Sequence, residues 1–223
     1  MGTRPLAIAL VLASMLTLLT VALVARIAVV TGYNSHVFLV WNLMLAWVPL
    51  AFALALEWRR RRGRAGVASL ILGAGWLLFL PNAPYLVTDI VHLGHKNPVL
   101  GIRLDLTTLL MAAAAGVLIG FLSLALVQRT ISERLGPRLA WALVVVAQVL
   151  TSFGIYLGRI LRLNSWDALT RPRLLAHETV SRLADPLAHP HMLTGMAAVT
   201  VGLLIAYVVF YRAAMALERR PAA

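Results

Sequence analysis

The sequence predicts an all-α polytopic membrane protein: one transmembrane domain over residues 1–223, built as a bundle of six spanning helices with a short extra amphipathic helix after the third. Three observations lead there. The chain is 61% apolar and only 13% charged, whereas soluble domains sit near 45–50% and about 25%. Its mean hydropathy is +0.87. The apolar residues are gathered into runs of nearly twenty, the length that crosses about 30 Å of hydrocarbon. The same figures exclude an ordinary soluble globule and a disordered chain, which needs low hydrophobicity. The absence of cysteine excludes a disulfide framework, a thiolate nucleophile and a thiolate-held metal. The net charge of +12 is not a nucleic-acid signal, because the cations flank the apolar runs instead of forming a basic face.

Five runs meet the spanning length: 6–25, 37–56, 106–127, 139–157 and 193–211. The first follows a single cation, Arg4, and is longer than the apolar core of a secretory signal, with no small-residue cleavage pattern behind it. It reads as a retained span. A further run, 65–80, is short: at 1.5 Å per residue it reaches only about 24 Å. The stretch after it, 81–93, is therefore expected to start below the bilayer surface. There the sequence reads LPNAPY (80–85), and two prolines three apart remove backbone donors and break the helix. Pro84 suits the first turn of a new one. Along that piece Tyr85, Thr88, Asp89 and His92 recur at helical spacing and share a face. The competing reading is an interfacial helix lying on the membrane; the lack of Lys or Arg on the polar face argues against it.

Six spans put both termini on one side, with outer loops at 81–105 and 158–192. Twelve Lys and Arg fall on the terminal side, five of them between Arg59 and Arg64, and eight fall opposite. The positive-inside rule places the terminal side in the cytoplasm. The Arg59, Arg60, Arg61, Arg62 and Arg64 group is expected to face anionic lipid.

Polar residues concentrate at the opposite end. In the fifth span Gln148, Ser152, Tyr156 and Arg159 share a face, and Arg162 is expected to extend it. Asn164 and Asp167 follow in the string LNSWD. An unpaired Arg or Asp inside the membrane is costly, so Asp89 and Asp167 are the expected counter-ions of Arg159 and Arg162. Asn42 near the start of the second span, Asn82 at the break and Asp105 at the head of the fourth span map to the same end, with Asp105 expected as a helix cap. The candidate ligand-binding set is thus Asn42, Asn82, Tyr85, Thr88, Asp105, Arg159, Arg162, Asn164 and Asp167. Asp89 and His92 are the candidates for acid–base work. Asp89, His92 and His95 at i, i+3, i+6 make only a weak metal constellation. No metal and no cofactor is predicted. The expected partners are membrane lipids, not nucleic acid, and no protein partner can be named.

The strings FLPNAPYLVTDIVHL (79–93) and SFGIYLGRILRLNSWD (152–167) resemble the uncharacterised bacterial membrane proteins grouped as domain of unknown function 1361. NLMLAW (42–47), Asp105 and GFLSL (120–124) are similar to that family as well. The resemblance runs over about residues 37–211. It implies a multi-pass membrane protein and no activity; the expected location is a bacterial cytoplasmic (inner) membrane.

Three functions stay open. One is a non-catalytic scaffold whose Asp/His/Arg site at the outer face binds an anionic or lipid-linked group. A second is a membrane enzyme in which Asp89 or His92 moves a proton while Arg159 and Arg162 grip a phosphate-bearing head group. A third is a small-solute transporter using the broken span.

Overall fold

The computed structural model describes residues 3–32, 34, 36–64, 66–90 and 102–219, and all regular structure among them is helical. The elements are α1 (Thr3–Thr31), α2 (Val37–Arg61), α3 (Val67–Phe79), α4 (Asn82–Thr88), α5 (Ile102–Leu135), α6 (Pro137–Ile160), α7 (Asp167–Thr170), α8 (Pro172–Ala184), a 3₁₀ turn (Pro186–Ala188) and α9 (Pro190–Arg219). Six segments are long and apolar enough to cross a membrane: α1, α2, α3 with α4 taken together, α5, α6 and α9.

The third of these resolves the length deficit noticed in the sequence. From Val67 to Thr88 it has 22 residues, about 33 Å of helix, so α4 completes the span that α3 begins. The break between them follows from Pro81 and Pro84. The chain crosses it in a tight turn, with Ala83 N–H donating to the Leu80 carbonyl at 3.2 Å and Tyr85 N–H to the Pro81 carbonyl at 3.1 Å. The carbonyls of Leu78 and Phe79 lose their helical partners there. Ser165 Oγ donates to the first at 3.0 Å and Asn82 Nδ2 to the second at 2.9 Å. Side chains thus replace the backbone donors that the interruption removes.

The central helix is α5, which packs against α1, α2, α4 and α6. Its small residues allow the approach. A β-carbon on Gly116 would collide with the carbonyl oxygen of Ala83 and lie 2.6 Å from Leu86 Cδ1, while one on Gly120 would sit 3.1 Å from Ala83 Cβ. On the other flank, a β-carbon on Gly154 of α6 would run into the ring of Pro81. The short helix α4 is therefore clamped between α5 and α6, with Ala83 and Leu86 fully buried, and is no interfacial helix lying on the surface.

Around α5, one apolar cluster joins Leu39, Leu43, Leu86, Leu109 and Ile119. A second joins Trp76, Phe121, Leu124, Val144 and Tyr207. The outward faces carry exposed Leu18, Val29, Leu70 and Val201, which a hydrocarbon surround accepts without cost. The stretch expected as an outer loop between α6 and α9 is itself mostly helical, carrying α7, α8 and the 3₁₀ turn.

Candidate functional site

The two polar stretches meet. Asp89, at the end of α4 and 1% exposed, accepts a hydrogen bond on Oδ2 from Asn42 Nδ2 of α2 at 3.0 Å. On Oδ1 it pairs with Arg159 Nη1 of α6 at 3.2 Å. The same guanidinium donates to the Thr88 carbonyl at 2.6 Å and to the Tyr85 hydroxyl at 3.4 Å, and lies 5.7 Å from the centre of the Tyr85 ring. Three helices are tied at one point, and each carboxylate oxygen has a donor. Such engagement lets a carboxylate stay ionised out of water.

Next to this pair is a cavity of about 140 Å³ lined by, among others, Asn42, Asn82, Tyr85, Gly158, Asn164 and Ser165. Asn82 Nδ2 donates to Ser165 Oγ at 2.8 Å, which fastens the broken span to the segment after α6. Trp166 stacks edge-on against Trp41, ring centres 5.9 Å apart. The polar groups of the cavity wall are amides and hydroxyls set among leucines such as Leu45, Leu157 and Leu163, and the Asp89 carboxylate is not among them. Asn42 Nδ2 is spent on Asp89 and Asn82 Nδ2 on Phe79 and Ser165. The amide oxygens of Asn42 and Asn82, and the whole side-chain amide of Asn164, have no hydrogen-bond partner among the described residues.

Other expected members go elsewhere. Asp105 does not cap α5, which starts three residues earlier at Ile102. Its carboxylate pairs with His36 Nε2, and both residues are buried. Sequence reasoning missed this link, although both residues are ionisable and sit at the same end of neighbouring spans. Asp167, 1% exposed, does not pair with Arg162. Its Oδ2 accepts from the Asn164 N–H at 2.7 Å, and its Oδ1 lies 2.8 Å from Arg171 Nη2. The Asn164 N–H, followed by the Arg171 guanidinium one turn on, holds the Asp167 carboxyl below its ordinary value of 3.8, against the upward push of burial. Arg162 leaves the face of α6 because the helix ends at Ile160. Its φ is 56°, in the left-handed region, and its side chain is exposed, with no hydrogen bond or ion pair among the described residues. His92 and His95 lie outside the described residues, so the metal constellation with Asp89 does too.

The opposite end holds a second network absent from the sequence reading. Glu57, 5% exposed, accepts from Arg60 Nε at 2.6 Å, Arg61 Nε at 2.9 Å and Thr130 Oγ1 at 3.2 Å. Arg60 also pairs with Glu133, which Arg129 holds at 2.9 Å. Part of the arginine run expected to face lipid is thus turned onto carboxylates, and the Arg62 guanidinium sits 4.2 Å over the Trp58 ring. An acid followed by arginines at i+3 and i+4 was the available signal.

The bundle and its two polar ends define a polytopic helical membrane protein with a polar cavity at one end. A family model described as "Protein of unknown function (DUF1361)" matches residues 41–206, and the chain belongs to that family. No curated protein and no solved structure matches it.

Proposed function

We propose that the cavity receives the hydroxyl-bearing polar head of a lipid-linked molecule, and that the protein works as a membrane scaffold presenting that group. The observation that carries this reading is the set of spare hydrogen-bonding groups: two amide oxygens and one complete amide, supplied by α2, α4 and the segment after α6, all on one cavity. Amide oxygens accept from hydroxyls and amide N–H groups donate to them, so these groups can take up a hydroxyl-bearing head that enters the cavity. The expectation of an anionic ligand narrows accordingly, since Arg159 is committed to Asp89, Tyr85 and Thr88 and does not line the cavity. The acid–base reading draws no support from Asp89, whose oxygens are both engaged away from the cavity.

Twelve Lys and Arg at the terminal end against eight at the other favour a chain with both ends in the cytoplasm of a bacterial cell, so that the cavity opens outward. Lipid profiling of a deletion strain tests the proposal. A lipid-linked, hydroxyl-rich species should change in abundance, recovering with the wild-type gene and not with Asn164→Leu. An unchanged profile contradicts it.

A further inference from the structure

The other flank of α6 carries a second cavity, of about 430 Å³, between the last turns of α6 and the start of α9. Its size falls in the range of ligand pockets. The walls are mostly apolar: Ile155, Ile160, Met192, Met196 and Val199. Met192 is anchored in a small core with Phe153, Leu157 and Leu163. On its floor Thr200 Oγ1 donates to Ser152 Oγ at 2.8 Å and holds α9 to α6. Its other polar groups are Tyr156, Arg159, His189 and His191. No carboxylate is present in the lining, and the nearest in sequence, Asp185, is turned to accept from the Ala188 N–H at 3.2 Å. Neither imidazole has a hydrogen-bond partner among the described residues. On one side α9 exposes Leu193, Val201 and Ile205 and on the other α6 exposes Ile160, so the opening is bordered by surface that faces lipid.

We infer that this cavity is a lateral binding site for an anionic phospholipid, with an acyl chain between α6 and α9 and the phosphate beside His189 and His191. The chemistry of the wall selects this occupant: two imidazoles that donate to phosphate oxygens, with no acid in the lining, favour a negative head group over a zwitterionic one, while Arg159 is spent on Asp89, Tyr85 and Thr88 and adds no free charge. The site goes beyond the head-group reading of the polar cavity, shares no lining residue with it and stands without it.

Two glycines of α9 supply the test. A side chain added at Gly195, on the cavity wall, or at Gly202, two turns further and off that wall, meets nothing within 4 Å. Neither substitution disturbs packing at the β-carbon, and both raise helix propensity alike. Purified protein should retain phosphatidylglycerol in native mass spectrometry at least about tenfold more strongly than phosphatidylcholine. Gly195→Leu should abolish that retention and Gly202→Leu should preserve it. The pair His189→Gln with His191→Gln should lower the preference for phosphatidylglycerol several-fold without a matching fall in phosphatidylcholine. Equal retention of the two lipids by wild type, or Gly195→Leu behaving as Gly202→Leu, overturns the site.

Discussion

Asp89 and Arg159 stand 70 positions apart in the chain and meet at 3.2 Å, carboxylate to guanidinium, where α4 and α6 reach the same end of the bundle. Asn42 adds α2 to the junction. Polar groups that each helix could not bury alone become the tie between three of them, and the tie fixes the wall of the neighbouring cavity.

The clamp on α4 has a steric prediction. Gly116→Ala forces a methyl group against the backbone oxygen of Ala83, which has little freedom to move, and Gly154→Ala does the same to Pro81. Each should destabilise the protein by about 1–3 kcal/mol, the usual range of overpacking. Thermal unfolding in detergent measures this, with Gly202→Ala, where an added methyl meets nothing within 4 Å, as the comparison that should not lower the transition.

Acid should loosen α7 through Asp167. Its folded-state pKa is lowered, chiefly by the Asn164 N–H and then by Arg171. The stability it contributes is therefore fully present above its ordinary value of 3.8 and is lost as pH falls through the depressed folded value. Hydrogen exchange of the Asn164 and Arg171 amides should accelerate at the acid end of that window in wild type. In Asp167→Asn the step should vanish, and a step of unchanged size in that variant counts against the assignment.

Sidedness can be read chemically, because the chain has no cysteine of its own. Asn164→Cys and Arg62→Cys each place one thiol at an exposed position, at opposite ends of the bundle. A membrane-impermeant maleimide added to intact cells should label the first and spare the second until the membrane is opened. The reverse pattern inverts the orientation.

Much of this architecture could be read from residue order alone. Run length and hydropathy expose the spanning helices, because a bilayer leaves few alternatives for twenty apolar residues. The helical spacing of Tyr85, Thr88 and Asp89, with the position of Arg159 at the far end of another span, was enough to anticipate their meeting. Arg162 escaped that logic. The helical period was extrapolated past Ile160, where the chain turns through a positive φ, and local turn geometry is invisible to periodicity. The His36–Asp105 and Glu57–Arg60 pairs are contacts between or within helix ends whose geometry depends on how the helices are rotated. Ser165 likewise reads as a loop residue, and only the freed carbonyl of Leu78 reveals why it is there.

The most direct test of the account is a double-mutant cycle on Asp89→Asn and Arg159→Met, followed by thermal or denaturant unfolding of the purified protein. Each single substitution strands a desolvated partner and should cost more than half of what the double variant costs. The coupling should be about 0.5–3 kcal/mol, as for groups in contact. Additive effects, within about 0.5 kcal/mol, would mean that the two stretches do not meet.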